Sequence, residues 1–310
     1  MTDTMTDPNV RGDMRMFRKK EKRWVMKTEK GQWGEIWANF RKNGLAMAAF
    51  SVLLLIIAVA LFADVGMDYT SKALGQNAYE RLLGPSAAHW FGTDQYGRDL
   101  FARVIYGARY SLLFGVGCTG VALLLGSVIG AVAAYYGGKL DSILMRLLDA
   151  LMCIPSMLLI LLLVAVMGSG LVSLTVAITI TSVPGFTRMT RSVVLSVVQQ
   201  DFIEAARSCG TKDRNIILHH VIPNAVGPII VNGMMNIAGI IMSAAGMSYI
   251  GLGINPPTPE WGSMLSEATQ FMRTSPHVVI FPGLAIVITS LCFNLVGDGL
   301  ADAVDPRQRD

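Results

Sequence analysis

The residues able to do covalent or metal chemistry are few and poorly spaced for it. His219 and His220 are adjacent, so they do not share a helix face and make a poor ligand pair. Cys118, Cys153, Cys209 and Cys292 are scattered, with no Cys-x-x-Cys pair, and read as small apolar fillers rather than disulfide or metal ligands. The nearest trace of a phosphate-cradling loop is Gly137-Gly138-Lys139, but Leu140 stands where a hydroxyl is needed and no strand precedes it. No His-Glu-x-x-His or Gly-x-Ser-x-Gly is present. The chain is expected to be no enzyme, to bind no metal or other cofactor, and to have no catalytic residue.

The elements around these residues belong to a membrane. The 310 residues are 52% hydrophobic and 15% charged, where a soluble domain carries about 25% charged residues. A span needs about 20 mostly apolar residues. Six windows qualify: 44–63, 111–134, 150–167, 171–187, 225–249 and 278–297. Gly168-Ser169-Gly170 alone separates the third and fourth, which predicts a tight antiparallel hairpin. The expected fold is an all-α integral membrane protein with six transmembrane helices.

Basic residues set the orientation. With residue 1 inside, the inner segments 1–43, 135–149, 188–224 and 298–310 hold 20 of the 26 Lys and Arg, and the outer segments 64–110 and 250–277 hold 6. Both termini are therefore expected in the cytoplasm. The first apolar run starts near 44 and no small-residue cleavage site follows it, so no cleaved signal peptide is expected. The run Arg18-Lys19-Lys20-Glu21-Lys22-Arg23 belongs to a basic arm that fixes topology and attracts anionic headgroups. Trp33, Ile36, Trp37 and Phe40 share one helix face and predict an interfacial helix over 33–43, or else the first turns of the first span. The organisation that follows is an arm at 1–43, a first span at 44–63, an external segment at 64–110, a five-helix core at 111–297 and a cytoplasmic tail at 298–310.

No Asp, Glu, Lys or Arg lies inside a span, which weighs against a carrier driven by buried ionisable relays. Gly126 and Gly130 have the small-xxx-small spacing that lets helices approach. In the fifth span Asn232, Asn236, Gly239, Ser243 and Gly246 recur at helical intervals and draw a polar, small stripe. Such a stripe serves either helix–helix hydrogen bonding or the lining of a water-filled translocation path, and Asn294 in the sixth span suits either purpose.

Between two spans lies the polar segment 199–225, QQDFIEAARSCGTKDRNIILHHVIPNA. Asp201 with Glu204 resembles a capping box that starts a helix near 202. Ala205 and Ala206 would form a close-approach surface, and Gly210 suits the left-handed position that ends a helix. Thr211 would cap a second helix that Pro223 closes as it opens the fifth span. Two short helices around a Gly hinge are expected.

Glu204-Ala205-Ala206, Gly210 and Pro223 resemble the EAA loop of bacterial ABC importer permeases. His220 and Ile222 stand where Ile and Leu are usual, and His220-Val221-Ile222-Pro223-Asn224 is similar to the variant of the peptide/nickel branch. The segments 91–115, 135–149, 251–265 and 293–307 resemble the second permease subunit of dipeptide/oligopeptide ABC transporters, and the likeness covers about 33–309. It implies a type I ABC importer bundle working by alternating access. It implies that 199–223 holds a coupling helix docking into a partner ATPase, which alone binds ATP and Mg. It also implies a paralogous permease as heterodimer partner, two ATPase subunits and an extracytoplasmic solute-binding protein met by 64–110 and 250–277. Span five would line the path. For Gly92-Thr93-Asp94, Gly97-Arg98-Asp99 and Arg109 a structural turn network and a binding-protein contact both remain open. The implied solute is a di- or oligopeptide, with nickel or glutathione as the alternative within the family. A secondary carrier or a membrane-embedded enzyme is the distant alternative.

Overall fold

A computed structural model describes residues 32–304, with side chains from 34 onward. Most of the basic arm, the ring of Trp33 and the last part of the expected tail lie outside the described residues. Helix α1 is Gln32–Phe40, and α2 is Gly44–Gly66. Asn43 separates them, because its Oδ1 accepts the N–H of Ala46 at 3.1 Å and caps α2. So α1 is its own element rather than the first turns of the span. Its apolar face is divided: Trp37 is half exposed, while Phe40 is buried against α2 and the last helix. The Phe40 and Phe50 rings meet edge to face at 6.0 Å.

Helix α3, Leu100–Leu112, continues through a wide turn, Leu113–Cys118, into α4, Thr119–Tyr136. The 37 residues Leu100–Tyr136 reach about 55 Å, far beyond the ~30 Å apolar slab of a bilayer. This helix therefore begins inside the stretch expected as external. Gly137, at φ +61°, ends it.

The expected third span, 150–167, is not one helix. Helix α5, Gly138–Met152, and α6, Ser156–Met167, are bent by 82°. Pro155 causes the break: with ψ 130° it is not helical, and it has no N–H to continue the ladder. Helix α7 is Leu171–Val198, α8 is Asp201–Ser208, α9 is Asp213–Ile216 and α10 is Ile222–Tyr249. Helix α11 is Trp261–Ala268 and α12 is His277–Val304. Five helical runs are long and apolar enough to cross a membrane, and the bent α5–α6 pair makes a sixth if counted as one span. Among the described residues there is no β-strand.

Packing follows the small residues. A Cβ on Gly126 would lie 2.7 Å from the Phe186 Cβ, and one on Gly130 would lie 2.5 Å from the Thr187 carbonyl oxygen. The backbones of α4 and α7 therefore touch, which lipid-embedded helices achieve only through such residues. The Gly168–Gly170 turn folds α6 onto α7 as a hairpin, with Ile160 and Val164 clustered on Leu174 and Ile178. Val304 of α12 lies against Gly227 of α10, and Gly299 lies against Ala46, so residues 40–46, 227 and 299–304 share one end of the bundle. The segment 199–225 joins that end through Ile203, Ile216, Val221 and Ala225, buried on Ala134, Tyr135, Val194 and Val197. Residues 64–106 and 250–280 build the opposite end, around Trp261, Leu100 and Tyr106.

Candidate functional site

Helix α8 is held on one side and free on the other. Ile203 is fully buried beneath it, while Glu204, Ala205 and Gly210 are exposed and Ala206 is half-buried. Phe202, Leu218 and Ile222 add exposed apolar surface beside them. Asp201 is not the cap expected of it. Gln200, extended at ψ 145°, precedes the helix and places Asp201 within the first turn together with Glu204. Carboxylates there complement the helix dipole. The other end forms as read from Gly210. At φ +75° that residue donates its N–H to the Arg207 carbonyl at 2.9 Å, and Thr211 donates to the Ala206 carbonyl at 3.2 Å. This pair of bonds is the Schellman arrangement, which Gly favours because it tolerates the left-handed backbone.

The second half differs from expectation. Lys212, not Thr211, precedes α9, and helical structure then runs unbroken over Asp213–Tyr249. Pro223 stands at the start of α10, as expected of the residue that opens the fifth span, but it does not close a helix before it. A wide turn at Ile217–Val221 comes just before it, with the Ile222 N–H bonded five residues back to the Ile217 carbonyl. That widening accommodates a residue whose ring clashes with a carbonyl four residues back. The segment is thus one short helix, a Gly corner and the foot of a long helix.

Tyr135, at the end of α4, touches both sides of the corner. Its hydroxyl donates to Asp213 Oδ1 at 2.6 Å, and the Arg207 guanidinium lies 5.2 Å from its ring centroid. Nearby, Arg191 makes a two-point pair with Asp141 on α5, both bonds at 2.6 Å, and Arg188 pairs with Asp149. Sequence reasoning missed these groups. Asp141 and Asp149 lie eight residues apart on an amphipathic stretch, and Arg188 and Arg191 follow an apolar window. That pattern was readable as a tether, whereas nothing in the sequence marks Tyr135.

The polar stripe on α10 faces away from the rest of the chain. Asn236, Gly239, Ser243 and Gly246 are exposed and Asn232 is half-buried. Their polar groups are satisfied along the helix: Asn236 Nδ2 donates to the Asn232 carbonyl at 2.8 Å, and Ser243 Oγ to the Gly239 carbonyl at 2.8 Å. A Cβ on Gly239 or Gly246 would meet nothing within 4 Å. The stripe is not hydrogen-bonding glue within this chain. Asn294 is exposed as well.

At the opposite end the Gly-Thr-Asp and Gly-Arg-Asp turns form a buried network. Asp94 Oδ2 accepts from Arg98 Nε at 2.5 Å and lies 3.4 Å from Arg103 Nε. Arg98 Nη2 donates to Glu267 Oε2 at 2.8 Å, and Gln95 Nε2 donates to the same oxygen at 3.0 Å. Arg98 and Arg103 are each 1% exposed, so the network holds 64–110 and 250–277 together. Asp99 caps α3 through the Ala102 N–H and pairs with His89. Arg109 ties α3 to the Ala60 carbonyl and to Asp64. Glu260, 1% exposed, caps α11 through the Gly262 and Ser263 N–H groups, both at 2.9 Å. Burial pushes its carboxyl above the usual range, against the pull of those two N–H groups.

Residues 126–310, which contain the second part of α4, the corner and the stripe, match the family of binding-protein-dependent transport system inner membrane components. Residues 31–85 match the N-terminal transmembrane domain of oligopeptide transport permease C. The chain belongs to the binding-protein-dependent transport permeases. The permease is 42% identical over 278 residues to the dipeptide transport system permease protein DppC of Alkalihalophilus pseudofirmus, covering 89% of this chain and 90% of that protein. It is 44% identical over 282 residues to the glutathione transport system permease protein GsiD of Pectobacterium atrosepticum, covering 91% and 93%. The inward-facing MetNI methionine ABC transporter shares the fold, with a TM-score of 0.56 at 17% identity, over 66% of the permease and 96% of that chain. The permease is therefore a multi-pass membrane subunit of an ABC importer, and the family implies ATPase and binding-protein partners.

Proposed function

We propose that the permease carries di- or oligopeptides across the bacterial inner membrane by alternating access, powered by partner ATPases. In this reading both termini are cytoplasmic and the corner around Gly210 faces the cytoplasm. The exposed side of α8, with Glu204 and Ala205, half-buried Ala206 at its edge and the Gly210 corner that follows, is the contact for an ATPase subunit, and Pro223 sits at the foot of the long helix behind it. The observation that carries the reading is the division of α8: Ile203 anchors it to the bundle while the small and acidic residues are left free. Two ATPase subunits bind the ATP and Mg and perform the hydrolysis, and a related permease completes a heterodimer. The α10 stripe at Asn232, Asn236, Gly239 and Ser243 lines the path between the two permeases. A solute-binding protein docks at the opposite end, over 64–110 and 250–277. The 1–43 arm and the 298–310 tail lie on the cytoplasmic side of the 44–63 span and the 111–297 core.

Glutathione is a second reading of the solute, supported by GsiD relatives of the same closeness as the dipeptide one. The test is uptake by the complete transporter in vesicles, supplied with labelled di-, tri- and longer peptides, glutathione or nickel. Peptide uptake that needs ATP and survives collapse of the proton gradient is the expected result. Uptake of nickel alone refutes the solute class, and uptake abolished by proton collapse with ATP present refutes the energy source. Glu204→Lys is expected to abolish uptake and ATPase retention while the chain still inserts. Normal uptake and retention in that variant sink the docking assignment.

A further inference from the structure

Helix α8 and the foot of the long helix meet at Gly210, where the backbone is left-handed and a Cβ would meet nothing within 4 Å. The corner is therefore not wedged by packing at its apex. Its angle depends on what α8 and α9 each touch. Ile203 and Ile216 supply apolar anchors, which resist separation but are non-directional. Beyond the two backbone bonds of the corner itself, the directional contacts with the rest of the bundle lie three residues before and three after the glycine. Arg207 lies over the Tyr135 ring at 5.2 Å, and Asp213 accepts the Tyr135 hydroxyl at 2.6 Å. One side chain thus holds both arms. Tyr135 is 8% exposed, and it is followed two residues later by Gly137 at φ +61°, so it is the last buried side chain of α4.

Helix α4 in turn has no freedom to slide on α7, since Gly126 and Gly130 put the two backbones in contact. A push on α8 that reached Tyr135 would move α4 and α7 together. We infer that Tyr135 is the positioning residue that fixes the corner at Gly210 and passes its motion to the α4–α7 pair. It touches neither solute nor nucleotide. The inference rests on the reading of α8 as the ATPase contact.

The test uses the complete transporter in vesicles, with solute moved per ATP hydrolysed as the readout. Retained ATPase subunits and the melting temperature are measured alongside. Tyr135→Phe keeps the ring under Arg207 and loses the bond to Asp213. It is expected to lower solute moved per ATP about two- to tenfold, the worth of one hydrogen bond, with ATPase retention unchanged and melting lowered by no more than a few degrees, about 2–4 °C per kcal/mol. Tyr135→Ala loses both contacts and falls further, so the Phe variant acts as a partial rescue. Asp213→Asn placed on Tyr135→Phe adds nothing, because the bond is already gone. A wild-type ratio in both Tyr135 variants overturns the proposal. So does a loss that only tracks lost ATPase subunits or a lowered melting temperature. Glu204→Lys separates the two ideas: if it transports normally the docking reading fails, and if it is inactive while Tyr135→Ala couples normally only the role of Tyr135 fails.

Discussion

Gly239→Leu separates a face that packs inside the chain from one that serves something outside it. Nothing lies within 4 Å of the Cβ this change adds and Gly239 is exposed, so the side chain starts in open space in the permease alone. Replacing an interior helical glycine gains up to about 1 kcal/mol in helix propensity. The isolated chain is therefore expected to melt at the same temperature or slightly higher. Gly126→Leu is the contrast. Its first added carbon would sit 2.7 Å from the Phe186 Cβ and 2.9 Å from the Thr187 nitrogen. That is about 1 Å inside an ordinary carbon contact. Overpacking of this kind costs about 1–3 kcal/mol or more, so α4 and α7 part and folded yield drops. In the assembled transporter Gly239→Leu fills space that the proposed partner or path occupies. The same overpacking range corresponds to about a five- to 150-fold loss of uptake. Melting of the purified chain in detergent and uptake in vesicles are read side by side. Wild-type uptake, or a melting loss as large as that of Gly126→Leu, refutes the assignment of this face.

Two further outcomes concern the opposite end. Glu267→Ala leaves Arg98 and Arg103 buried with Asp94 as their remaining carboxylate, and is expected to destabilise the fold by about 3–5 kcal/mol; a change below about 1 kcal/mol in detergent unfolding would mean that the network is solvated. Glu260 gives a pH dependence. Because burial raises its folded pKa, the folded state holds the proton more tightly than the unfolded one. Its contribution is then fullest below the ordinary carboxyl value of about 4.3 and is lost as pH rises through the raised folded value. Glu260→Gln is expected to remove that slope from the melting temperature between pH 4 and 8, and an unchanged slope would assign it to other groups.

The spans were legible because a bilayer demands long apolar runs, and 44–63 or 278–297 can satisfy no other solvent. Their ends were less so. Hydropathy ends a span where polar residues begin, yet α7 runs on to Val198 and the α10 run starts back at Asp213. A helix ladder is indifferent to the polarity of exposed side chains. Prolines were misread in both directions for one reason. Pro155 breaks a window that is apolar throughout, while Pro223 sits in a helix that a wide turn has prepared for it. Whether the backbone widens ahead of a proline depends on tertiary contacts. Gly210 was readable because its left-handed conformation is a local property of the residue. The Gly-Arg-Asp turns were readable only as one of two alternatives, a turn network or a binding-protein contact, since Arg98 and its partner Glu267 are 169 residues apart and no local spacing joins them.

The two ends are built with opposite mechanical properties, and that bears on how the permease works. The end with Trp261 is locked by buried charges, by the α11 cap at Glu260 and by Gly262. A Cβ on Gly262 would lie 2.4 Å from the Ala245 carbonyl oxygen. Buried pairs break only at high cost, so this end resists local opening. The end with Gly210 is held by apolar anchors, one tyrosine and partly exposed ion pairs such as Arg188 with Asp149, which are worth about 1 kcal/mol or less. Rearrangement within the chain is therefore cheapest beside Gly210, next to the proposed ATPase contact. In the proposed docking, energy from nucleotide binding would enter at the softest part of the fold, and the rigid opposite end would convert the displacement into tilting of whole helices rather than melting of loops.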